Sequence, residues 1–117
     1  MIIVINRNMY SGPSYYIGRG SVFGNPFHLA MGRSKCVAEY KKYFYETLLN
    51  RQEVRAELEK LVAALLRKEK VILGCYCKPL SCHGDVIRAY LEECMKDIAV
   101  VEEGVRLARL HESTKNL

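Results

Sequence analysis

The stretch that decides the fold is Val71-Ile-Leu-Gly-Cys-Tyr-Cys-Lys-Pro-Leu-Ser-Cys-His-Gly-Asp-Val-Ile87. It begins with an apolar run that predicts a buried strand over residues 71–77, and it continues through a polar loop into a helix that starts near Cys82. A strand that feeds a helix through a short polar loop gathers backbone N–H groups and reactive side chains at one point, where α/β proteins bind ligands. The sequence therefore predicts where a site lies before it predicts its chemistry.

The remaining segments supply the other elements of a small α/β domain. Apolar runs predict strands over residues 2–5 and 15–17, and apolar residues at spacings of three and four predict helices over residues 34–50 and 51–67. This order predicts a single-domain, Rossmann-like α/β fold with a short, mainly parallel sheet, built as a two-layer or a three-layer sandwich. We expect this domain at residues 1–96. Residues 97–117 would then be a C-terminal extension, with an edge strand at residues 98–101 and a docking or oligomerisation helix after it.

Composition narrows the functional classes. The 117-residue chain has no run of about 18 apolar residues, which argues against a transmembrane helix. Its first five residues lack the basic leader of a signal peptide. Five cysteines, an odd number, argue against a secreted disulfide framework, so we expect a cytoplasmic protein with reduced thiols. The net charge of +5 favours polyanionic partners such as nucleotides or nucleic acids.

The loop and helix start over residues 78–85 suit an anionic ligand. Ser81 is a natural N-cap, Gly84 would let a ligand approach the first turn, and the helix dipole favours a phosphate or carboxylate there. Asp85 has several interpretations: it orients a neighbouring side chain, accepts hydrogen bonds from ribose hydroxyls, or is simply a first-turn acid. The ligand-binding residues predicted in this segment are Lys78, Ser81, Cys82, His83, Gly84 and Asp85.

A second polar loop spans residues 18–27. Its Gly-Arg-Gly-Ser sequence offers a flexible backbone, a guanidinium group for phosphate and a hydroxyl donor, although it lacks the spacing of a P-loop. The alternative is a turn-rich connection in which Arg19 is solvated. The ligand-binding residues predicted here are Gly18, Arg19, Gly20, Ser21 and Asn25, together with Arg7 after the first strand.

The cysteines allow further interpretations. A tetrahedral zinc site would need four donors, and the segment offers Cys75, Cys77, Cys82 and His83. Adjacent helical residues diverge by about 100°, however, so Cys82 and His83 would not easily bind one ion, and we predict no metal and no cofactor. In an enzyme, His83 and Asp85 would be acid–base or orienting groups, and Cys77 or Cys82 a nucleophile. The simplest alternative is that Cys75 or Cys77 is a small buried hydrophobe.

Two motifs carry a family resemblance: Tyr16-Ile-Gly-Arg-Gly-Ser-Val-Phe-Gly-Asn-Pro-Phe27 and Cys75-Tyr-Cys-Lys-Pro-Leu-Ser-Cys-His-Gly-Asp-Val86. Together with Gly32-Arg-Ser-Lys-Cys-Val-Ala-Glu-Tyr40, they resemble the domain-of-unknown-function family 4326 of phages, prophages and bacteria. The likeness covers residues 3–92 and leaves residues 97–117 outside. It implies a phage or bacterial setting but no particular activity.

Three functions follow as expectations. The first is a homo-oligomeric binding protein for a nucleotide-type ligand with phosphate and ribose, which in a phage would sequester a nucleotide signal of host immunity. The second is a nucleotide-processing enzyme, such as a glycosidase, transferase or hydrolase. The third is a nucleic-acid-binding module that uses the net positive charge.

Overall fold

The computed structural model describes residues 1–27, 29–78, 80 and 82–115. Within these residues the elements follow the predicted order of strand, strand, two helices, strand and helix. The strands are β1 (Ile2–Asn6), β2 (Tyr15–Tyr16) and β3 (Val71–Cys75). The α-helices are α1 (Arg33–Glu46), α2 (Gln52–Leu66) and α3 (Gly84–Lys115), with short 3-10 turns at Leu29–Met31 and Leu48–Asn50.

The sheet is parallel throughout and has β3 at its centre, in the order β1–β3–β2. Asn6 pairs with Cys75, and Tyr16 pairs with Gly74. All strands therefore end at the same edge, which is where open α/β sheets bind ligands. The predicted α/β fold with a short parallel sheet is confirmed.

The helices pack against one face of the sheet, which makes the protein a two-layer sandwich. Tyr15 lies beside Leu73 on this face, and its hydroxyl donates a hydrogen bond to Glu57 of α2. On the same face α3 begins in contact with β1, because a Cβ placed on Gly84 would lie 2.8 Å from the Val4 side chain. The largest fully buried side chains are Tyr40, Phe23, Phe44, Ile17, Leu48, Leu73, Ile87 and Leu91.

The opposite face of the sheet is crossed by the connection between β1 and β2. These strands lie on either side of β3, so residues 7–14 must pass over the central strand. They do so at Gly74, where a Cβ would lie 2.5 Å from Ser14 Oγ and 2.9 Å from Arg7 Cγ. A glycine is needed at this position because the crossing chain occupies the volume of a side chain.

The predicted end of the central strand is two residues too late. β3 ends at Cys75, where the chain leaves the sheet and enters a turn in which the Leu80 N–H donates to the Cys77 carbonyl at 3.0 Å. The Asn6 amide holds the turn from the neighbouring strand by donating to the carbonyls of Tyr76, at 3.3 Å, and Lys78, at 2.8 Å. These hydrogen bonds take the place of the inter-strand backbone hydrogen bonds that residues 76 and 77 would make if β3 continued.

The predicted edge strand at residues 98–101 is wrong. These residues lie inside α3, which continues without a break to Lys115 and gives the molecule a length of 66 Å. Apolar residues at Ile98, Val101 and Val105 have helical spacing, and no strand lies nearby for them to pair with in the part of the chain described. Residues 99–111 are all exposed. Among the described residues, none of the helices has the length and apolar character needed to span a bilayer.

Candidate functional site

A cavity of about 210 Å³ lies at the carboxyl edge of the sheet, between the ends of β2 and β3 and the loop of residues 18–27. Among the described residues, four larger clefts run along the free edge of β1, at about 700 Å³, on the C-terminal part of α3, at about 560 Å³, between α2 and α3, at about 500 Å³, and beside β2, at about 400 Å³. None of the four is lined by the loop of residues 18–27, and only the first is lined by a residue of the second predicted loop, Lys78, so we assign the candidate site to the smaller cavity. Its lining residues are Tyr16, Gly18, Arg19, Asn25, Phe27, Cys36, Cys75, Tyr76, Cys77 and His83.

The loop of residues 18–27 is anchored in the core. Phe23 is fully buried, and its carbonyl accepts a 2.7 Å hydrogen bond from the Tyr40 hydroxyl of α1. The Ser21 hydroxyl turns inward and donates to the Gly18 carbonyl at 2.7 Å. Gly20 has a φ of +90°, a conformation that side-chain-bearing residues rarely adopt. The core therefore holds the loop in place, and Ser21 and Gly20 contribute to its shape, while their predicted ligand-binding roles stay predictions.

The polar side chains of this wall are Asn25 and Arg19. Asn25 Oδ1 accepts the Phe27 N–H at 2.9 Å, and Asn25 Nδ2 donates to Cys36 Sγ at 3.3 Å, which holds the loop against α1. The Arg19 side chain is exposed and makes a long contact, 3.4 Å, from Nη2 to the Phe27 carbonyl, while the Arg19 carbonyl accepts a 2.8 Å hydrogen bond from the Tyr16 hydroxyl. Its guanidinium group therefore lies at the cavity mouth, where it can bind an anion.

Aromatic residues at the strand ends also line the cavity. The rings of Tyr16 and Tyr76 lie 6.2 Å apart between centroids, and Tyr76 is 55% exposed. Tyr16 packs on the loop itself, since a Cβ on Gly18 would lie 2.5 Å from Tyr16 Cε1. The Arg7 guanidinium lies 4.9 Å from the Tyr16 ring centroid, a cation–π distance, and is itself outside the cavity lining. Two phenol rings and two arginines are therefore close to one another here.

His83 forms the inner end of the cavity and is only 6% exposed. Its Nε2 donates to the Ile17 carbonyl at 2.6 Å, and its ring packs edge-on against Tyr40 with centroids 4.9 Å apart. Burial lowers the pKa of His83, and this effect exceeds the opposing one of the Ile17 carbonyl. The ring is therefore neutral at neutral pH, with its proton on Nε2 and Nδ1 left as the acceptor.

A pair of thiols lies beside the cavity. Cys75 Sγ and Cys82 Sγ are 3.5 Å apart and both are buried. The pKa of Cys75 is lowered to about 5, first because Cys82 donates to its sulfur and further because the Cys77 and Lys78 N–H groups do so. The donating role and burial raise the pKa of Cys82. One proton shared between the two sulfurs would leave Cys75 as a thiolate at the cavity wall.

The helix start is less open to an anion than its sequence predicts. Asp85 Oδ2 accepts the Cys82 N–H at 3.2 Å, while Asp85 Oδ1 pairs with Lys78. A Cβ on Gly84 would lie 2.8 Å from the Ile17 side chain, so this glycine serves helix–sheet packing. These contacts favour Asp85 as a first-turn acid with Lys78 as its partner. The predicted N-cap, Ser81, lies outside the described residues.

The four predicted zinc donors do not converge. Cys82 turns towards Cys75, whereas His83 turns towards the Ile17 carbonyl, as expected for adjacent residues at a helix start. In the ranges that the structure describes, no three or more His, Cys, Asp or Glu residues are grouped so that they could hold a metal ion. The geometry of these side chains therefore gives no support to the zinc alternative.

The cavity brings together some of the predicted ligand-binding residues and not others. Its lining contains Gly18, Arg19, Asn25 and His83. It does not contain Arg7, Gly20, Ser21, Lys78, Cys82, Gly84 or Asp85. Sequence reasoning missed Tyr76 and Cys36, which both line the cavity. Tyr76 directly follows the carboxyl end of β3, a position that could have revealed it, whereas Cys36 reaches the cavity only through the packing of α1.

Comparisons with known proteins fit this geometry. The model of the domain of unknown function DUF4326 matches residues 5–93, which contain all of the cavity lining. An uncharacterized 12.4 kDa protein from the nrdA-td intergenic region of Enterobacteria phage T4 is 33% identical over 88 residues, 74% of this chain and 75% of the phage protein. No solved structure matched. The family match covers most of the chain and both cavity-forming loops, and the chain therefore belongs to the DUF4326 family.

Proposed function

We propose that the protein binds a mononucleotide-type ligand, with base, ribose and phosphate, at the carboxyl edge of its sheet. The observation that carries the proposal is the grouping of Arg19, the Tyr16–Tyr76 pair and neutral His83 around one cavity. A mostly apolar pocket with a few convergent polar groups is typical of small-molecule sites.

The cavity size limits the ligand. Pockets that enclose drug-sized molecules measure about 300–1,000 Å³, and this one measures about 210 Å³. It has room for one ring system and leaves the remainder of the ligand at the mouth. A mononucleotide fits this division better than a dinucleotide, with its base inside and its phosphate outside.

Charges and rings at the mouth suit such an orientation. The Arg19 guanidinium can bind phosphate with two parallel hydrogen bonds, and the nearby Arg7 adds positive potential. Stacking of a base on an aromatic side chain contributes about 1–3 kcal/mol, and Tyr16 or Tyr76 could provide it. The net charge of +5 would attract the anion over a longer range.

The phage relative supports a role in a phage or prophage. We propose that the protein there sequesters a nucleotide signal of host immunity and acts as a homo-oligomer. Sequestration requires tight binding without turnover, so the ligand should survive contact with the protein unchanged.

Two measurements test the binding proposal. Native mass spectrometry of the protein purified from cells, followed by denaturation, should release an intact nucleotide-type molecule. Calorimetric titration with the four nucleoside 5′-monophosphates should show binding that Arg19→Ala weakens at least tenfold. Arg67→Ala is the matched control, because Arg67 lies at the end of α2, away from the cavity, in an exposed pair with Glu69. A ligand-free protein that binds none of the four would contradict the proposal.

A second candidate function, a nucleotide-processing enzyme, is favoured by one observation. The Cys75 sulfur lines the cavity, and its pKa is lowered to about 5, so a nucleophile is available near neutral pH. Incubation of NAD or cyclic dinucleotides with concentrated protein should then give products, and Cys75→Ser should abolish them. Unchanged substrates would contradict this candidate for those compounds. The nucleic-acid-binding alternative stays a prediction, and it would show a steep loss of affinity with added salt.

A further inference from the structure

The C-terminal part of α3 projects from the domain. Residues 99–111 are exposed, and a Cβ on Gly104 would meet nothing within 4 Å. The Glu103–Arg106 ion pair supports the helix locally, whereas a glycine in a helix interior costs about 1 kcal/mol relative to alanine. A partner that covers this segment would therefore add to its stability.

One apolar seam of the projecting helix continues onto the domain, while the exposed Val100, Leu107 and Leu110 lie on other sides of the helix. Ile98, Val101, Val105 and Ala108 follow one another at spacings of three and four, the pattern of a coiled-coil seam. At its N-terminal end, at Ile98, this seam joins the cleft of about 500 Å³ between α2 and α3. The cleft is lined by Ile98 and Cys94 on α3 and by Val62 and Leu66 on α2.

The charges of the same helix are divided along its length. Residues 97–103 contain Asp97, Glu102 and Glu103 and no basic residue, whereas residues 104–111 contain Arg106 and Arg109 and no acidic residue. A second copy aligned in parallel would place acid against acid and arginine against arginine. Glu103 and Arg106 pair with each other within the helix, so the acid and the base next to the seam that a second copy would meet are Glu102 and Arg109. An antiparallel copy would place Glu102 of each chain near Arg109 of the other, so the surface is complementary to itself.

We propose that two copies of the chain dimerise through α3, with the helices antiparallel about a two-fold axis near Gly104. Each seam packs on the other, and the residues beyond Val105 of one copy reach the cleft between α2 and α3 of its partner. The absence of a side chain at Gly104 lets the two backbones approach closely at the axis. Because the charges of α3 are complementary to those of an antiparallel copy of itself, we identify its partner as a second copy of the chain. An unrelated partner helix would not require the acidic and basic residues of α3 to be divided along its length.

The first test is the mass of the full chain in solution by analytical ultracentrifugation. The expected mass is twice 13.4 kDa. Val101→Glu combined with Val105→Glu should give a monomer that keeps the circular dichroism of the folded domain. Ala99→Glu, which adds a charge on the polar side of the same helix, is the control and should remain dimeric. A monomeric parent protein, or a dimer that survives the double substitution, would overturn the proposal.

The second test concerns orientation. Glu102→Arg leaves the Glu103–Arg106 pair intact, puts a basic residue on both halves of the seam and should raise the dimer dissociation constant at least tenfold at low salt. Adding Arg109→Glu restores opposite charges and should restore the affinity. In a parallel dimer like charges already face each other, so Glu102→Arg alone would change little, and that result would refute the antiparallel arrangement. Both tests are independent of ligand binding in the cavity.

Discussion

Replacing His83 by alanine separates the structural role of this residue from its role in the site. The substitution removes the buried donor to the Ile17 carbonyl, and an unsatisfied buried carbonyl costs about 1–3 kcal/mol. It also removes the ring packed on Tyr40, and truncation of a large buried side chain costs about 2–5 kcal/mol. Because the two contributions overlap, we expect a total loss of about 4 kcal/mol.

Such a loss should be visible without unfolding the protein at room temperature. Domains of this size are stable by about 5–15 kcal/mol, and 1 kcal/mol corresponds to a shift of about 3–6 °C in Tm. Thermal unfolding followed by circular dichroism should therefore show a Tm lower by roughly 10–25 °C. His83→Gln, whose amide can still donate to the Ile17 carbonyl, should recover part of the difference. His111→Ala is the matched control, because that histidine is exposed.

The outcome that would refute this reasoning is a His83→Ala protein within 1 kcal/mol of the parent. Arg19→Ala should behave differently, because the side chain is exposed and makes a single long hydrogen bond. We expect it to weaken ligand binding with little change in Tm. Lost binding in His83→Ala alone would therefore not identify a direct ligand contact, whereas lost binding in Arg19→Ala would.

Three further results are expected. The ultraviolet absorbance of the Cys75 thiolate should appear with a midpoint near pH 5, and this titration should be absent in Cys75→Ser. Cys82→Ala should raise the pH of the midpoint, because it removes the hydrogen-bond donor to the Cys75 sulfur. Cys94→Ser is the control. The free energy of unfolding should fall as pH decreases from 9.0 towards 5, because the folded state binds the Cys75 proton more weakly than the unfolded state does. Below about 6.5 it should fall further, because the pKa of His83 is also lowered in the folded state. Unfolding in urea at several pH values checks this, and a free energy that does not change with pH would contradict it. Tyr40→Phe should cost about 1–3 kcal/mol in urea unfolding by depriving the Phe23 carbonyl of its donor, and a loss below 0.5 kcal/mol would count against that hydrogen bond.

The order of the elements followed from the sequence because apolar periodicity reports which side of each element is buried. The runs at residues 2–5 and 71–75 have no polar side, as expected for strands in a parallel sheet. Periodicity failed at two places after residue 71. It extended β3 to residue 77, although the strand ends at Cys75 and the Asn6 amide holds the turn that follows, and it assigned a strand at residues 98–101, where β-branched residues continue a helix.

Only part of the candidate site could be predicted from the sequence. Gly18, Arg19 and Asn25 belong to a loop whose composition predicts a binding surface, and the structure places them at the cavity. At the helix start, however, the same residue types serve different purposes: Asp85 pairs with Lys78, and Gly84 makes room for Ile17. A sequence shows which polar and charged groups are present, but it does not show which of them form hydrogen bonds or ion pairs with one another.

The sequence by itself determined the order of the strands and helices up to residue 97 and the two polar loops, because burial patterns and turn residues are local properties of the chain. Only the tertiary structure decided that β3 is the central strand, that His83 is buried against Ile17, and that Cys36 and Tyr76 join the cavity wall. These depend on contacts between residues distant in sequence, where the packing of strands and helices determines which side chains meet.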